Sequence, residues 1–205
     1  MSVRIEQANN GIVHAILSRP EKHNGVDWDM LVGWRDTARA LAADRTVRAV
    51  VLRGEGPSFC AGLDFASALK RPDKLTLAFL PVGATNLAQE ACWGWRRIQA
   101  PVIAALHGNC YGAGLQLALA ADFRISTPDC QLSVMEAKWG LIPDMTGTLS
   151  LRELIGIDQA KLLTMTGRKI SGEEAHAIGL VTQVSEDPIE AAIHLAEEIS
   201  TRSPD

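Results

Sequence analysis

Short apolar runs alternate along this chain with stretches of helical period. Val47 to Leu52 is a β-branched run closed by Gly54, Val102 to Leu106 is apolar throughout, and Phe123 to Ile125 follows a helix-like segment from Gly112 to Ala120. From Asp27 to Ala43 the residues Trp28, Leu31, Val32, Trp34, Ala38 and Leu41 recur at the spacing of one helix face, and a second helical stretch spans roughly Thr76 to Arg97. Strands this short must pair and be covered, so the alternation predicts an α/β sheet with helical cover. The chain opens with a predicted β-hairpin, Ser2 to Glu6 and Ile12 to Leu17 flanking Asn9-Asn10-Gly11, residues suited to positive φ in a tight turn.

From about Thr146 to Arg202 the pattern is of successive helices around a short strand, Gly179 to Val184. Ser171, with Glu174 three residues later, marks a capped helix start, and the last helix runs from Pro188 to Thr201 and stops at Ser203-Pro204-Asp205. Lys70 to Thr85, punctuated by Pro72, Pro81 and Gly83, reads as a mobile loop beside the site. At 205 residues a single domain is expected. Its core is expected over about residues 1–186, with a C-terminal helical region beginning near 187.

Hydrophobic residues make up 47% and charged residues 21%, which excludes disorder. With 20 Lys plus Arg against 24 Asp plus Glu there is no basic field, and no nucleic-acid partner is expected. Cys60, Cys92, Cys110 and Cys130 form no C-x-x-C pair, so they read as reduced, mostly buried thiols and no metal site is expected. The first ten residues lack the apolar stretch of a secretory leader, which makes the cytoplasm the simplest compartment. The longest apolar run, Gly112 to Ala121, is too short for a membrane span and contains Gln116.

Three segments carry chemistry. Gly54-Glu55-Gly56-Pro57-Ser58-Phe59-Cys60-Ala61-Gly62-Leu63-Asp64 leads from a strand into a helix, where unsatisfied amides can hold an oxyanion or where Asp64 simply caps the turn. His107-Gly108-Asn109-Cys110-Tyr111-Gly112-Ala113-Gly114-Leu115-Gln116 is again a strand, a glycine-rich turn and a helix start; its glycines do not fit G-x-G-x-x-G, and no phosphate-binding lysine follows. Leu132 to Gly147 sets Glu136 between Met135 and Trp139 and Asp144 behind Ile142-Pro143. Apolar surroundings disfavour a carboxylate anion, which suits a proton carrier. Equally, Glu136 can pair at the surface with Lys138, and Asp144 can cap a helix beginning near Met145.

Taken in order, with Leu17-Ser18-Arg19-Pro20 through Asn24 before them and Thr166-Gly167-Arg168 and Ala175 to Leu180 after, these segments resemble the crotonase family, the enoyl-CoA hydratase and isomerase superfamily. The resemblance implies a spiral of ββα units with a helical C-terminal region, assembly as homotrimers or paired trimers, and a coenzyme A thioester as substrate with no separate cofactor. It implies an oxyanion hole at the amides of Leu63 and Ala113, lined also by Gly112, Gly114 and Gln116. An adenine-binding carbonyl falls near Ala61, with Lys22 and His23 beside the phosphates and Asp64 among the CoA-binding residues. Two departures bear on the reaction. The first glutamate of the family's hydratases is here Gln116, which can orient a water but cannot exchange its proton. Asp144 lies eight residues after Glu136, where the family's dienoyl-CoA isomerases carry a second carboxylate; those enzymes also have an acid at the Gln116 position, so the match is partial. The expected activity is therefore isomerisation by Glu136 and Asp144. The rivals are hydration by Glu136 alone and a non-catalytic acyl-CoA-binding subunit. Resembling proteins continue with further C-terminal helices, so Asp205 is expected to mark a truncation.

Overall fold

The computed structural model describes residues 2–203; Pro204 and Asp205, where the sequence reading ends the chain, lie outside the described residues. The opening hairpin is β1 (Val3–Gln7) and β2 (Ile12–Leu17), antiparallel, turned by Asn10 at φ 61° and Gly11 at φ 75°. There follow α1 (Trp28–Ala43), β3 (Ala49–Gly54), α2 (Phe65–Lys70), α3 (Pro72–Phe79), α4 (Leu87–Trp93), β4 (Val102–Leu106), β5 (Asn109–Tyr111), α5 (Ala113–Ala118), β6 (Phe123–Ser126) and β7 (Gln131–Ser133). The rest comprises α6 (Gly147–Leu154), α7 (Ile157–Thr166), α8 (Gly172–Ala177), β8 (Gln183–Val184) and α9 (Pro188–Ser200).

The larger sheet has the order β1-β2-β3-β4-β6-β8, parallel from β2 onward, while β5 pairs with β7 in a small second sheet. Successive turns of the chain thus place one strand in the large sheet and then a short strand or bridge against the neighbouring turn, which is the stacked spiral expected from the resemblance. β4 is buried along its whole length because a parallel sheet is covered on both faces. One face packs Leu52, Ala104 and Leu106 against Trp34, Phe59 and Trp95. The other packs Val51, Ile103 and Ile125 against Ala192 and Ala196 of α9. α9, where the C-terminal helical region is expected to begin, thus covers this face of the sheet.

Four sequence expectations are corrected. The stretch from Thr76 to Arg97 is not one helix, because Pro81 and Gly83 (φ 76°) break it and the Asn86 capping box starts α4 afresh. Lys70 to Thr85 is not a loop throughout: Pro72, at the first helical position, opens α3, and the irregular part shrinks to residues 80–86. The strand from Gly179 to Val184 is only Gln183–Val184, since Gly179 turns at φ 83° and the amides of Leu180 and Val181 fold back onto the Ala175 carbonyl. The helix beginning near Met145 starts at Gly147, with Thr146 (φ 73°) before it and no side-chain cap, so Asp144 is not its cap. Among the described residues no helix is long and apolar enough to cross a membrane.

Gly108 lies where the chain passes from β4 to β5, at φ 58°, and a Cβ there would stand 2.0 Å from the Pro57 carbonyl oxygen. Gly108→Ala is expected to lose more than about 2 kcal/mol in urea denaturation. Gly83→Ala, at φ 76° but with nothing within 4 Å of its Cβ, is expected to lose about 1 kcal/mol or less. Equal losses would show that backbone strain, and not the contact between turns, sets the cost.

Candidate active site

Beyond β3 the chain is stitched to the β4–β5 connection by its backbone. Phe59 donates its N–H to His107 O (2.9 Å), Cys60 to Asn109 O (3.0 Å) and Tyr111 to Cys60 O (3.0 Å), so Cys60 and Cys110 form a parallel bridge. From the other side the turn is held by Asn24, which is fully buried at φ 54°. Its Oδ1 accepts from Arg19 N (2.8 Å) and its Nδ2 donates to the carbonyls of Glu55 (2.9 Å) and Ser58 (2.8 Å). Val26 N donates to Gly62 O (2.8 Å) and Asp64 N to Val26 O (2.9 Å), which turns the N–H of Leu63, between them, to the opposite side. Arg19 braces this corner, pairing with Asp27 (3.1 Å) and Asp64 (3.3 Å), the N-cap residues of α1 and α2.

The second turn meets the first through missing side chains. A Cβ on Gly62 (φ 89°) would sit 2.9 Å from Tyr111 O and 3.9 Å from Ala113 N, and one on Gly114 would sit 2.6 Å from both Cβ and O of Cys60. Ala113 opens α5, so its amide is among the donors that a helix start leaves without an intrahelical acceptor.

Glu136 opens a 3-10 turn, Glu136–Trp139, and is 8% exposed. Its Oε1 accepts from Gln116 Nε2 (2.7 Å), and Gln116 Oε1 accepts from Gly147 N (2.9 Å), so one amide ties α5, the 3-10 turn and α6 together. Oε2 of Glu136 is buried without a partner. Burial pushes the Glu136 carboxyl above its ordinary range, opposed by its own backbone N–H and then by the Gln116 hydrogen bond, and reinforced by the charge of Asp144. Burial raises Asp144 as well. Among the described residues neither carboxylate has an ion-pair partner, so the pairing of Glu136 with Lys138 is not made.

All these groups face one cavity of about 600 Å³, lined by Leu63, Gly112, Ala113, Gln116, Glu136 and Asp144, with Phe65, Trp139 and Ile142 in its apolar wall. A smaller hollow of about 320 Å³, bordered by Trp28, Arg71 and Lys74, shares Val26, Leu31, Leu63 and Ala68 with it. Leu63 therefore stands at the partition between the two. Volumes in this range suit small-molecule sites.

The remaining expected residues divide. Ala61 lines the cavity, its N–H bonded to His23 O (2.9 Å). Gly114 lies behind the wall against Cys60. Lys22 and His23 are exposed on the turn that leads to Asn24 and line neither hollow; the His23 ring bonds Ser58 Oγ (3.0 Å). The Asp64 carboxylate is engaged by Ser67 N (3.1 Å), Ser67 Oγ (2.7 Å) and Arg19, so it serves as a cap and a brace. Sequence reasoning missed the roles of Asn24 and Gly62; the signal was present in Asn24-Gly25 after Arg19-Pro20. All four cysteines are free and buried, and no group of metal-ligating side chains occurs among the described residues.

A family model described as enoyl-CoA hydratase/isomerase matches residues 7–205. The chain is 33% identical over 216 residues to the mitochondrial Delta(3,5)-Delta(2,4)-dienoyl-CoA isomerase of Mus musculus, covering 99% of this chain and 65% of that protein. It is 31% identical over 207 residues to the mitochondrial methylglutaconyl-CoA hydratase of Mus musculus, covering 98% and 64%. The chain thus spans slightly less than two thirds of the length of these relatives. It superposes on an enoyl-CoA hydratase from Bacillus anthracis with a TM-score of 0.89 at 29% identity, over 100% of this chain and 78% of that one. For an enoyl-CoA hydratase from Mycobacterium tuberculosis H37Rv the TM-score is 0.84 at 31% identity, over 99% and 77%.

The raised Glu136 carboxyl has a consequence for stability. Below the ordinary glutamate range it is neutral in both folded and unfolded chains and burial costs nothing. As pH rises, the unfolded chain ionises first, so folding weakens until the folded group has also ionised. Glu136→Gln is therefore expected to raise the melting temperature at pH 7, by about 2–4 °C per kcal/mol relieved. The gain should vanish as pH falls below about 4. A gain independent of pH would show that packing, and not the buried charge, is responsible.

Proposed function

The chain belongs to the enoyl-CoA hydratase/isomerase family, and from that premise we propose that it moves a proton within an unsaturated acyl-CoA thioester. The carrying observation is that Glu136 and Asp144, both lifted above their ordinary range by burial, line the same cavity as Leu63 and Ala113. The thioester oxygen accepts from those two N–H groups as the enolate develops, each donor worth on the order of 3 kcal/mol in the transition state. One carboxylate takes a proton from one end of the conjugated chain and the other, protonated, returns one at the far end. Two acids held near each other in an apolar cavity favour that split, since ionising one disfavours ionising the second.

Hydration needs two groups around one water. Gln116 is engaged at both ends, by Glu136 and by Gly147, which argues against its holding that water. The acyl chain is apolar in this reading: the charged groups on the larger cavity's wall are Glu136 and Asp144, no cation lines it among the described residues, and a carboxylated chain would meet like charge. Assembly as a homotrimer or paired trimers belongs to the same proposal, supported by the exposed Ile157, Leu162 and Met165 of α7.

Ultraviolet assays with a 3,5-dienoyl-CoA, crotonyl-CoA and a carboxylated enoyl-CoA test the reading. Glu136→Gln should nearly abolish isomerisation with thioester affinity within a few fold, Asp144→Asn should lower kcat by about a hundredfold, and Gln116→Glu should bring no gain. Turnover of the carboxylated substrate should be at least about a hundredfold less efficient than that of the apolar one. A hydration gain in Gln116→Glu with a silent Asp144→Asn would make the protein a hydratase, and tight binding without turnover would make it a binding subunit.

A further inference from the structure

We infer that Gln116 is a positioning residue that confines the exchangeable proton of Glu136 to Oε2. An amide has one accepting end and one donating end, and which faces which neighbour is set by the hydrogen bonds available. The N–H of Gly147 can only donate, so it selects Gln116 Oε1 (2.9 Å); Nε2 is then obliged to face Glu136 Oε1 (2.7 Å). A flipped amide would set donor against donor and oxygen against carboxylate. The contact depends on glycine at 147, since a Cβ there would stand 2.6 Å from Gln116 Oε1. A Cβ on Gly112 would stand 3.3 Å from Glu136 Oε1, so glycine at that position leaves the oxygen room for its contact with Gln116. An oxygen already accepting from an N–H is a poor place for a proton, so the neutral acid carries its hydrogen on Oε2, the buried oxygen with no partner.

The other titratable groups that act on Glu136 are Asp144, from the segment before α6, and the Cys92 thiol of α4, which burial keeps protonated. Neither supplies a donor to Oε1, and no lysine, arginine or histidine pairs with Glu136 among the described residues. Besides the backbone N–H of Glu136 itself, Gln116 is therefore the side chain that favours the Glu136 anion against burial, and it does so at Oε1. The consequence for rate rests on the isomerase reading above: Glu136 exchanges its proton through one oxygen, and the partner in the transfer at the far end of the chain is Asp144.

The test is an infrared titration of the ligand-free protein, following the carboxyl band that disappears in Glu136→Gln. Gln116→Met, which keeps the bulk and loses the donor, should raise the midpoint by about one to two pH units, the scale of one hydrogen bond to a charged group. The acid limb of the kcat/KM profile should move with it. A midpoint within about 0.3 units of the parent, with lowered turnover, would reduce Gln116 to packing and overturn the inference. Should the variant not fold, the Gln116 side-chain amide resonances of the parent protein must shift with the Glu136 midpoint; resonances that stay fixed overturn it as well. The infrared and resonance readouts are free of substrate, so absence of turnover would sink the proposed reaction and leave this inference standing.

Discussion

The backbone bridge between Cys60 and Cys110 is the contact on which the site depends. It forces two strand-to-helix turns that are about fifty residues apart in sequence to share one wall. Gly62, Gly108 and Gly114 each lie within contact of the opposite turn, at distances where a Cβ would collide. The result is that Leu63 and Ala113 line one cavity, the first with its N–H turned away from Val26 and the second at the start of α5. In the proposed reaction, backbone donors held in this way need little reorganisation when charge develops before them.

On the opposite wall the dominant constraint is desolvation. Glu136 is nearly enclosed, carries a single side-chain hydrogen bond, and feels a second carboxylate at Asp144. A fold selected for stability alone would not hold two acids so. The Gln116 amide limits the penalty by favouring the anion from one side, while Gly147 fixes which end of that amide does so. Position, protonation and the joining of α5 to α6 thus pass through one side chain.

Much of this was legible from residue pattern. The β1–β2 hairpin, α1, β4 and the capped start of α8 follow from local turn chemistry, hydrophobic period and capping, which act over a few residues. β5 and β7 were not visible, because three-residue strands carry no period of their own and exist only by pairing with each other. The division near Pro81 was missed because the punctuation from Pro81 to Gly83 was read as the end of a longer loop.

The sequence by itself determined the α/β class, the resemblance and the three segments that build the site, since hydrophobic period, glycine placement and carboxylates in apolar company are local properties. Tertiary structure alone decided how those segments are used. It released Asp144 from capping, because Thr146 turns left-handed and the helix begins at Gly147. It committed Asp64 to a cap and to Arg19, and it left Lys22 and His23 outside the cavity. It converted Gln116 from a missing acid into a fixed donor. A side chain's role in a site depends on which partners burial leaves it, and those partners, Gly147 for Gln116 and Gln116 for Glu136, come from distant parts of the chain that only the folded backbone brings together.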